Sequence, residues 1–301
     1  MRVNYSPGYT VPLPDGHAFP MGKFAALRAI LERDGLISPA DVVEPGEASW
    51  EELALVHTPA YLSRLRHGTL DRAEVRRLGL PWSPALVRRS RLAVRGTVNA
   101  AWMALEDGVA ANLAGGTHHA FPDRGEGFCV LNDVGVAVRM LRRGGWIRRV
   151  LVIDLDVHQG NGTAAVFAAD PDTFTFSMHG EGNYPFREMP SDLDIGLPDG
   201  TGDDEYEEAL LRFLPEALAR SRPDLVFYLG GVDVLAGDHF GRLALTRAGL
   251  ERRDRIVIGT ICGEGLPLAL LLSGGYAATP ELTAELHAVA HRTACEIESA
   301  A

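Results

Sequence analysis

Short runs of Val, Ile, Leu and Phe recur along this chain, separated by longer stretches in which apolar residues return every three or four positions. The first pattern predicts strands buried on both faces, and the second predicts amphipathic helices. Strands are expected at 109–114, 150–155, 173–178, 224–229 and 267–272, and helices at 22–33, 85–106, 132–143, 205–220, 246–260 and 280–297. "DDEYEEALLRFLPEALARS" carries the helical signal plainly. Acidic residues open it, where the helix dipole favours them, and Ala209, Leu210, Phe213, Leu214, Ala217 and Leu218 share one face. Alternating strands and helices predict an α/β fold of three layers, with a central, mostly parallel sheet between helices. No repeat or low-complexity tract divides residues 1–301, which read as one domain.

The segments that follow the predicted strands hold the chemistry. They are "GGTHHAF", "DVHQGNG", "HGEGNYPF", "GGVDVLAGD" and "SGGY". In an open parallel sheet these tails emerge at one edge, where crevices bind ligands.

On a strand, alternate side chains share a face, so Asp154, Asp156 and His158 form a column if the strand runs on to its end. Burying three ionisable groups there costs on the order of several kcal/mol each unless something positive joins them. A divalent cation answers this: Asp156 and His158 offer an oxygen and a nitrogen, and Asp233 in "GGVDVLAGD" is the candidate third ligand. Two Asp and one His leave a coordination position open, which is a catalytic pattern rather than a closed structural one. Charge and softness favour Zn2+, with Fe2+ or Co2+ also compatible. A buried Asp–His hydrogen-bonded pair is the structural alternative.

His118 and His119 follow a Gly-Gly turn, so two imidazoles beside a cation could take a proton from water and return it to a leaving amine. Tyr276, after another Gly-Gly pair, could donate to an oxyanion. Taken singly, the histidine pair can be incidental and the tyrosine a packed aromatic.

Charge narrows the partners. Lys and Arg number 29 against 40 Asp and Glu, a net charge of −11 that repels a phosphate backbone, so no direct nucleic-acid binding is expected. An acidic surface suits a cationic partner such as a lysine-bearing peptide or a polyamine, and it also serves solubility. Cys129, Cys262 and Cys295 lie far apart and are expected to be reduced thiols. With no apolar leader and no long apolar run, a soluble, cytoplasmic protein without membrane contact is expected. Nothing in the sequence sets an oligomeric state.

Taken in order, "GHAFPMGK", "GGTHHA", "GFCVLNDV", "IDLDVHQGNG", "GGVDVLAGD" and "SGGY" resemble the zinc-dependent histone deacetylase family, of the arginase/deacetylase fold. The resemblance runs from about residue 16 to residue 278. "DLDVHQGNG", "GTGDDEYEEAL" and "LALTRAGLERRD" look closer to its class IV branch than to the others. The resemblance implies zinc held by Asp156, His158 and Asp233, a catalytic pair in His118 and His119 with Asp154 behind His118, and Tyr276 as the phenol at the substrate carbonyl. It also implies a potassium or sodium ion at Asp154, Ser177 and Met178 together with backbone oxygens of Asp156 and His158. Phe128 and Tyr184 match two aromatic tunnel walls, Gly127 a carbonyl that accepts the substrate N–H, and Phe240 a position near the rim. The implied reaction is removal of an acetyl or longer acyl group from a lysine of a peptide or protein, or from an acylated polyamine or related small amine.

Three positions depart from the pattern. Asn161 stands where many members place an Asp behind the second histidine, which leaves His119 less basic. Pro81 occupies a place where many members grip the substrate backbone with an Asp. Lys23 replaces an Arg at the floor of an acetate-release pocket, keeping the charge without the bidentate fork. Two other readings compete: a two-metal ureohydrolase of the same fold, which would want an Asp at Gly160, and a non-catalytic acyl-ligand sensor or scaffold.

Overall fold

The structure, a computed structural model, describes residues 1–300. Eight strands form one sheet: β1 (Arg2–Asn4), β2 (Val42–Val43), β3 (Val109–Asn112), β4 (Val150–Asp154), β5 (Thr173–Gly180), β6 (Leu193–Leu197), β7 (Leu225–Leu229) and β8 (Leu268–Leu271). Their spatial order is β2-β1-β3-β8-β7-β4-β5-β6, and every neighbouring pair is parallel. The expected α/β architecture is present, with the sheet wholly rather than mostly parallel.

Ten helices among the described residues surround the sheet: α1 (Lys23–Arg33), α2 (Trp50–Leu53), α3 (Pro59–His67), α4 (Arg72–Leu78), α5 (Pro84–Asp107), α6 (Asp133–Arg143), α7 (Asn161–Phe167), α8 (Asp203–Ser221), α9 (Arg247–Gly263) and α10 (Pro280–Ala300). None is long and apolar enough to cross a membrane.

The central strands are buried along their whole length, which is why they read as unbroken apolar runs. Alternation divides them between two cores. Val150, Val152, Leu225 and Phe227 pack with α5 and α6 residues such as Ala101 and Val138. Leu151, Ile153, Val226 and Tyr228 face the core that includes Leu214 of α8 and Ile258 of α9. The six expected helices are all present, each within three residues of its expected ends. Strands β1, β2 and β6 and helices α2, α3, α4 and α7 were not expected, although three of the four helices carry clear start signals, α2 through a capping box of Ser49 and Glu52. Thr58 caps α3 ahead of Pro59, and Asp71 and Glu74 close a capping box at α4.

Candidate active site

The four strands at the middle of the sheet, β3, β8, β7 and β4, send their C-terminal tails into one crevice. The tail of β3 brings His118 and His119, that of β4 brings Asp156 and His158, that of β7 brings Asp233, and that of β8 brings Tyr276. Neighbouring parallel strands separated by long crossovers therefore gather residues more than a hundred positions apart.

The expected column on a strand face is not what aligns the acidic residues. Strand β4 ends at Asp154, and the chain then bends. The Asp156 amide donates to Asp154 Oδ1 (3.2 Å), and the His158 amide donates to Asp156 Oδ1 (2.9 Å). This bend turns Asp154 toward His118, whose Nδ1 lies 2.7 Å from Asp154 Oδ2. Asp156 and His158 face Asp233 instead. One donor atom from each of Asp156, His158 and Asp233 falls within 4.8 Å of the others, and all three residues are buried.

These three residues fit a cation. Asp233 Oδ2 is buried and accepts no hydrogen bond, although it sits 3.4 Å from His158 Nδ1. An orphaned buried carboxylate oxygen beside two further potential ligand atoms is a place where a positive partner fits. The remaining oxygens are oriented by the protein: Val157 N donates to Asp233 Oδ1 (3.0 Å), while Ser273 Oγ (2.7 Å) and Gly274 N (2.6 Å) donate to Asp156 Oδ2. Gly274 has to be glycine, because a Cβ there would stand 1.9 Å from Asp233 Oδ2.

Burial and neighbours push the two histidines of the pair apart. Burial lowers the His118 pKa, but Asp154 and Asp156 outweigh it and carry the ring up to about 9. Burial, with the neighbouring His118 and His158, holds His119 well below the usual imidazole range. His119 is therefore the neutral member, and its Nδ1 lies 2.7 Å from Asn161 Oδ1. Such a divergence suits one group to take a proton while the other stays charged.

A cavity of about 530 Å³ reaches this floor, lined by Phe128, Tyr184, Phe240 and Tyr276 among others. Phe240 packs edge-on to Tyr276 with ring centroids 4.9 Å apart. Tyr184 stands edge-on to His119 at 5.0 Å. Gly127 and Phe128 form the two-residue turn of a small hairpin, closed by Glu126 N to Cys129 O (3.0 Å) and Cys129 N to Glu126 O (2.8 Å). Both have positive φ, 54° and 65°, and a phenylalanine tolerates that only where its surroundings impose it. The same cavity is also lined by Lys23, Phe24 and Arg89. Lys23 Nζ donates to the Ser273 carbonyl (3.1 Å).

A family model described as "Histone deacetylase domain" matches residues 17–292. The chain belongs to the histone deacetylase family. It is 47% identical over 295 residues to an uncharacterized protein of Picosynechococcus sp., covering 98% of each chain. It is 32% identical to Histone deacetylase 2 of Arabidopsis thaliana, covering 92% of this chain and 74% of that one. The crystal structure of the HDA15 HD domain superposes with a TM-score of 0.78 at 21% identity, covering all of this chain and 91% of the other, a likeness of fold.

In this histone deacetylase family member, sequence reasoning missed the residues that hold the site in place. Asp133 accepts from Gly116 N (2.9 Å) and Thr117 N (2.8 Å), fixing the turn that presents His118. Asp238 accepts from Tyr276 N (2.7 Å). Ser273, at φ 60°, orients Asp156. Both Asp133 and Asp238 lie inside motifs that signalled the family, but only the tertiary structure reveals what they bind. Ser177 lies opposite Asp154 in the β4–β5 register, and its Oγ is 2.9 Å from His179 Nδ1. Met178 is buried in the same strand. Strand β5 continues to Gly180, so His179 and Gly180, expected in its tail, belong to the strand itself.

Proposed function

We propose that this protein is a metal-dependent deacylase that hydrolyses the amide of an acylated lysine or a related acylated amine. The observation that carries the reading is the orphaned Asp233 Oδ2 beside His158 and Asp156, the latter two lining a cavity with His118, His119 and Tyr276. Asp156, His158 and Asp233 would hold the divalent ion, with Zn2+ favoured by the donor set and Fe2+ or Co2+ compatible. Such an ion supplies a Lewis acid for the amide carbonyl and makes a nearby water more acidic. His119 takes the proton of the attacking water and passes it to the departing amine. The Tyr276 hydroxyl donates to the oxygen on which charge develops. Asp154 holds His118 in its charged form.

One feature supports one divalent ion rather than two. A Cβ at Gly160 would meet Asp154 Oδ2 at 2.3 Å, so the extra carboxylate a two-metal ureohydrolase wants has no room there. The retained Tyr276 and the intact triad disfavour a silent sensor or scaffold. We further assign a structural potassium or sodium ion to Asp154, Ser177, Met178 and the backbone of Asp156 and His158, on the family resemblance. Phe128, Tyr184 and Phe240 would flank the substrate stem, with the Gly127 carbonyl accepting its N–H. The size of the cavity, about 530 Å³, supports acyl groups longer than acetyl. The motif likeness to class IV points the same way, and three free cysteines suit a reducing, cytoplasmic setting.

Turnover of a fluorogenic acyl-lysine peptide by the wild type and by Tyr276→Phe tests this reading. A fall of about 10²–10³-fold in kcat with a similar KM is expected for the variant. Equal turnover by the two proteins would remove the proposed chemistry.

A further inference from the structure

Asn161 leaves His119 without the adjacent carboxylate that the resemblance leads one to expect, yet a carboxylate is present one residue further out. Asn161 Nδ2 donates to Glu126 Oε1 (3.4 Å), and the Tyr184 hydroxyl donates to the same oxygen. Arg124 Nε donates to Glu126 Oε2 (3.2 Å). The Glu126 side chain is 14% exposed and lines the cavity. We propose that Glu126 is a positioning residue that sets the tautomer of His119 through Asn161 and ties the Tyr184 wall to the Phe128 hairpin. The kinetic part of this inference rests on the deacylase reading above.

The chemistry of the donors carries the first half. A carboxylate only accepts hydrogen bonds, so the side of Asn161 that faces Glu126 must be its NH2 group. The amide oxygen then faces the other way, where it also accepts from Gly162 N (2.9 Å). That oxygen meets His119 Nδ1 at 2.7 Å, so Nδ1 must carry the proton. Nε2 is left bare, which is the state a base needs. Were Asn161 free to flip, its NH2 would face Nδ1 and put the proton on Nε2. The flip would also set the amide NH2 against the Gly162 N–H, so Gly162 and Glu126 hold the amide together, Glu126 being the side-chain half of that restraint.

The second half follows from where the partners originate. Glu126 forms the base of the hairpin whose tip is Phe128, while Tyr184 arrives from the connection between β5 and β6. Their hydrogen bond joins two separate walls of the cavity, and it anchors a turn in which Phe128 holds a positive φ of 65° that a side chain with a Cβ disfavours. A plain surface ion pair of Glu126 with Arg124 would explain neither of these long-range contacts.

The test combines kinetics with imidazole 15N spectra of the metal-free full chain. In the wild type, His119 is expected as the Nδ1–H tautomer. Glu126→Ala leaves only the Gly162 amide to hold Asn161 and should admit a minor Nε2–H tautomer, with kcat lowered about twofold to threefold and a raised KM. Tyr184→Phe should raise KM alone. Adding Asn161→Asp to Glu126→Ala places a direct acceptor on Nδ1, so the double variant should recover both the Nδ1–H tautomer and kcat, but not KM. Should Glu126→Ala not fold, Glu126→Gln serves, with the same signs and smaller changes, because Gln presents a donor as well as an acceptor. A single Nδ1–H tautomer in the Glu126 variants would overturn the proposal, as would a kcat loss that Asn161→Asp does not restore. The spectra decide the tautomer question even if no variant, nor the wild type, turns over an acyl-lysine peptide.

Discussion

Asp233 Oδ2 and His158 Nδ1 stand 3.4 Å apart without a hydrogen bond between them, both buried. His158 Nδ1 lies 2.9 Å from Asp156 Oδ1, so three potential ligand atoms crowd together and Asp233 Oδ2 alone is left without a hydrogen bond. Replacing Asp233 by Asn keeps the shape and removes the charge. Zn2+ affinity is expected to fall by at least about 100-fold, measured by competition titration. The rise in melting temperature on adding Zn2+ should vanish with it, while the metal-free variant melts no lower than the metal-free wild type, because the buried charge is gone. An unchanged affinity would remove Asp233 from the site.

Lys23 is the only lysine in the chain, every other basic side chain being Arg or His, and it is buried in the lining of the cavity. Burial lowers its pKa to about 8, with Asp233 and Asp156 opposing the drop. The folded value lies below the unfolded one, so the unfolded chain binds the extra proton between about pH 8 and 10.5. The charged amine therefore costs stability below pH 8, and that cost is relieved as the pH rises through this window. On the order of 3 kcal/mol is at stake. In protein labelled with 15N-lysine, one resonance should titrate near pH 8 in the metal-free state. The stability gained by Lys23→Met should shrink between pH 7 and 10. A titration near 10.5 would contradict the burial.

Arg76 and Arg77, exposed in the last turn of α4, line the mouth of the cavity. The net charge of −11 suggests cationic partners, but the charge at the entrance is locally positive. Acyl-lysine peptides with acidic flanks are expected to show a KM about threefold to tenfold lower than those with basic flanks at low salt. The Arg76→Glu/Arg77→Glu pair should invert that order, and about 0.5 M salt should erase it. Equal KM values at low salt would show that the arginines face away from the substrate.

The parts legible in the sequence were those that burial writes into composition. Strands β4, β7 and β8 are covered on both faces, so "VLVID", "LVFYL" and "LALL" stand out as apolar runs. Strand β1, with three residues, and β2, with two, are too short to carry a period. Strand β6 is a partly exposed edge, and its "LDIGL" contains the Asp and Gly that a buried strand avoids. Helix α7 begins at Asn161 inside a Gly-rich motif that reads as loop.

The candidate site divides in the same way. Asp156, His158, Asp233, His118, His119 and Tyr276 were legible because each follows a strand whose tail reaches one edge. The reason given for the alignment of Asp154, Asp156 and His158 was mistaken, since the strand stops at Asp154 and backbone hydrogen bonds shape the bend. The roles of Glu126, Asp133, Asp238 and Ser273 depend on contacts across 16 to 117 positions, which no local pattern encodes.

The central claim is that one divalent ion, held by Asp156, His158 and Asp233, makes this chain an amide hydrolase. Its most direct test is to strip the protein with a chelator, add Zn2+ in steps and follow acetate released from an acetyl-lysine peptide. Activity is expected to be absent at first, to rise linearly and to level off at one equivalent, with Asp233→Asn flat throughout. Full activity in the stripped protein, or a plateau only at two equivalents, would contradict the account.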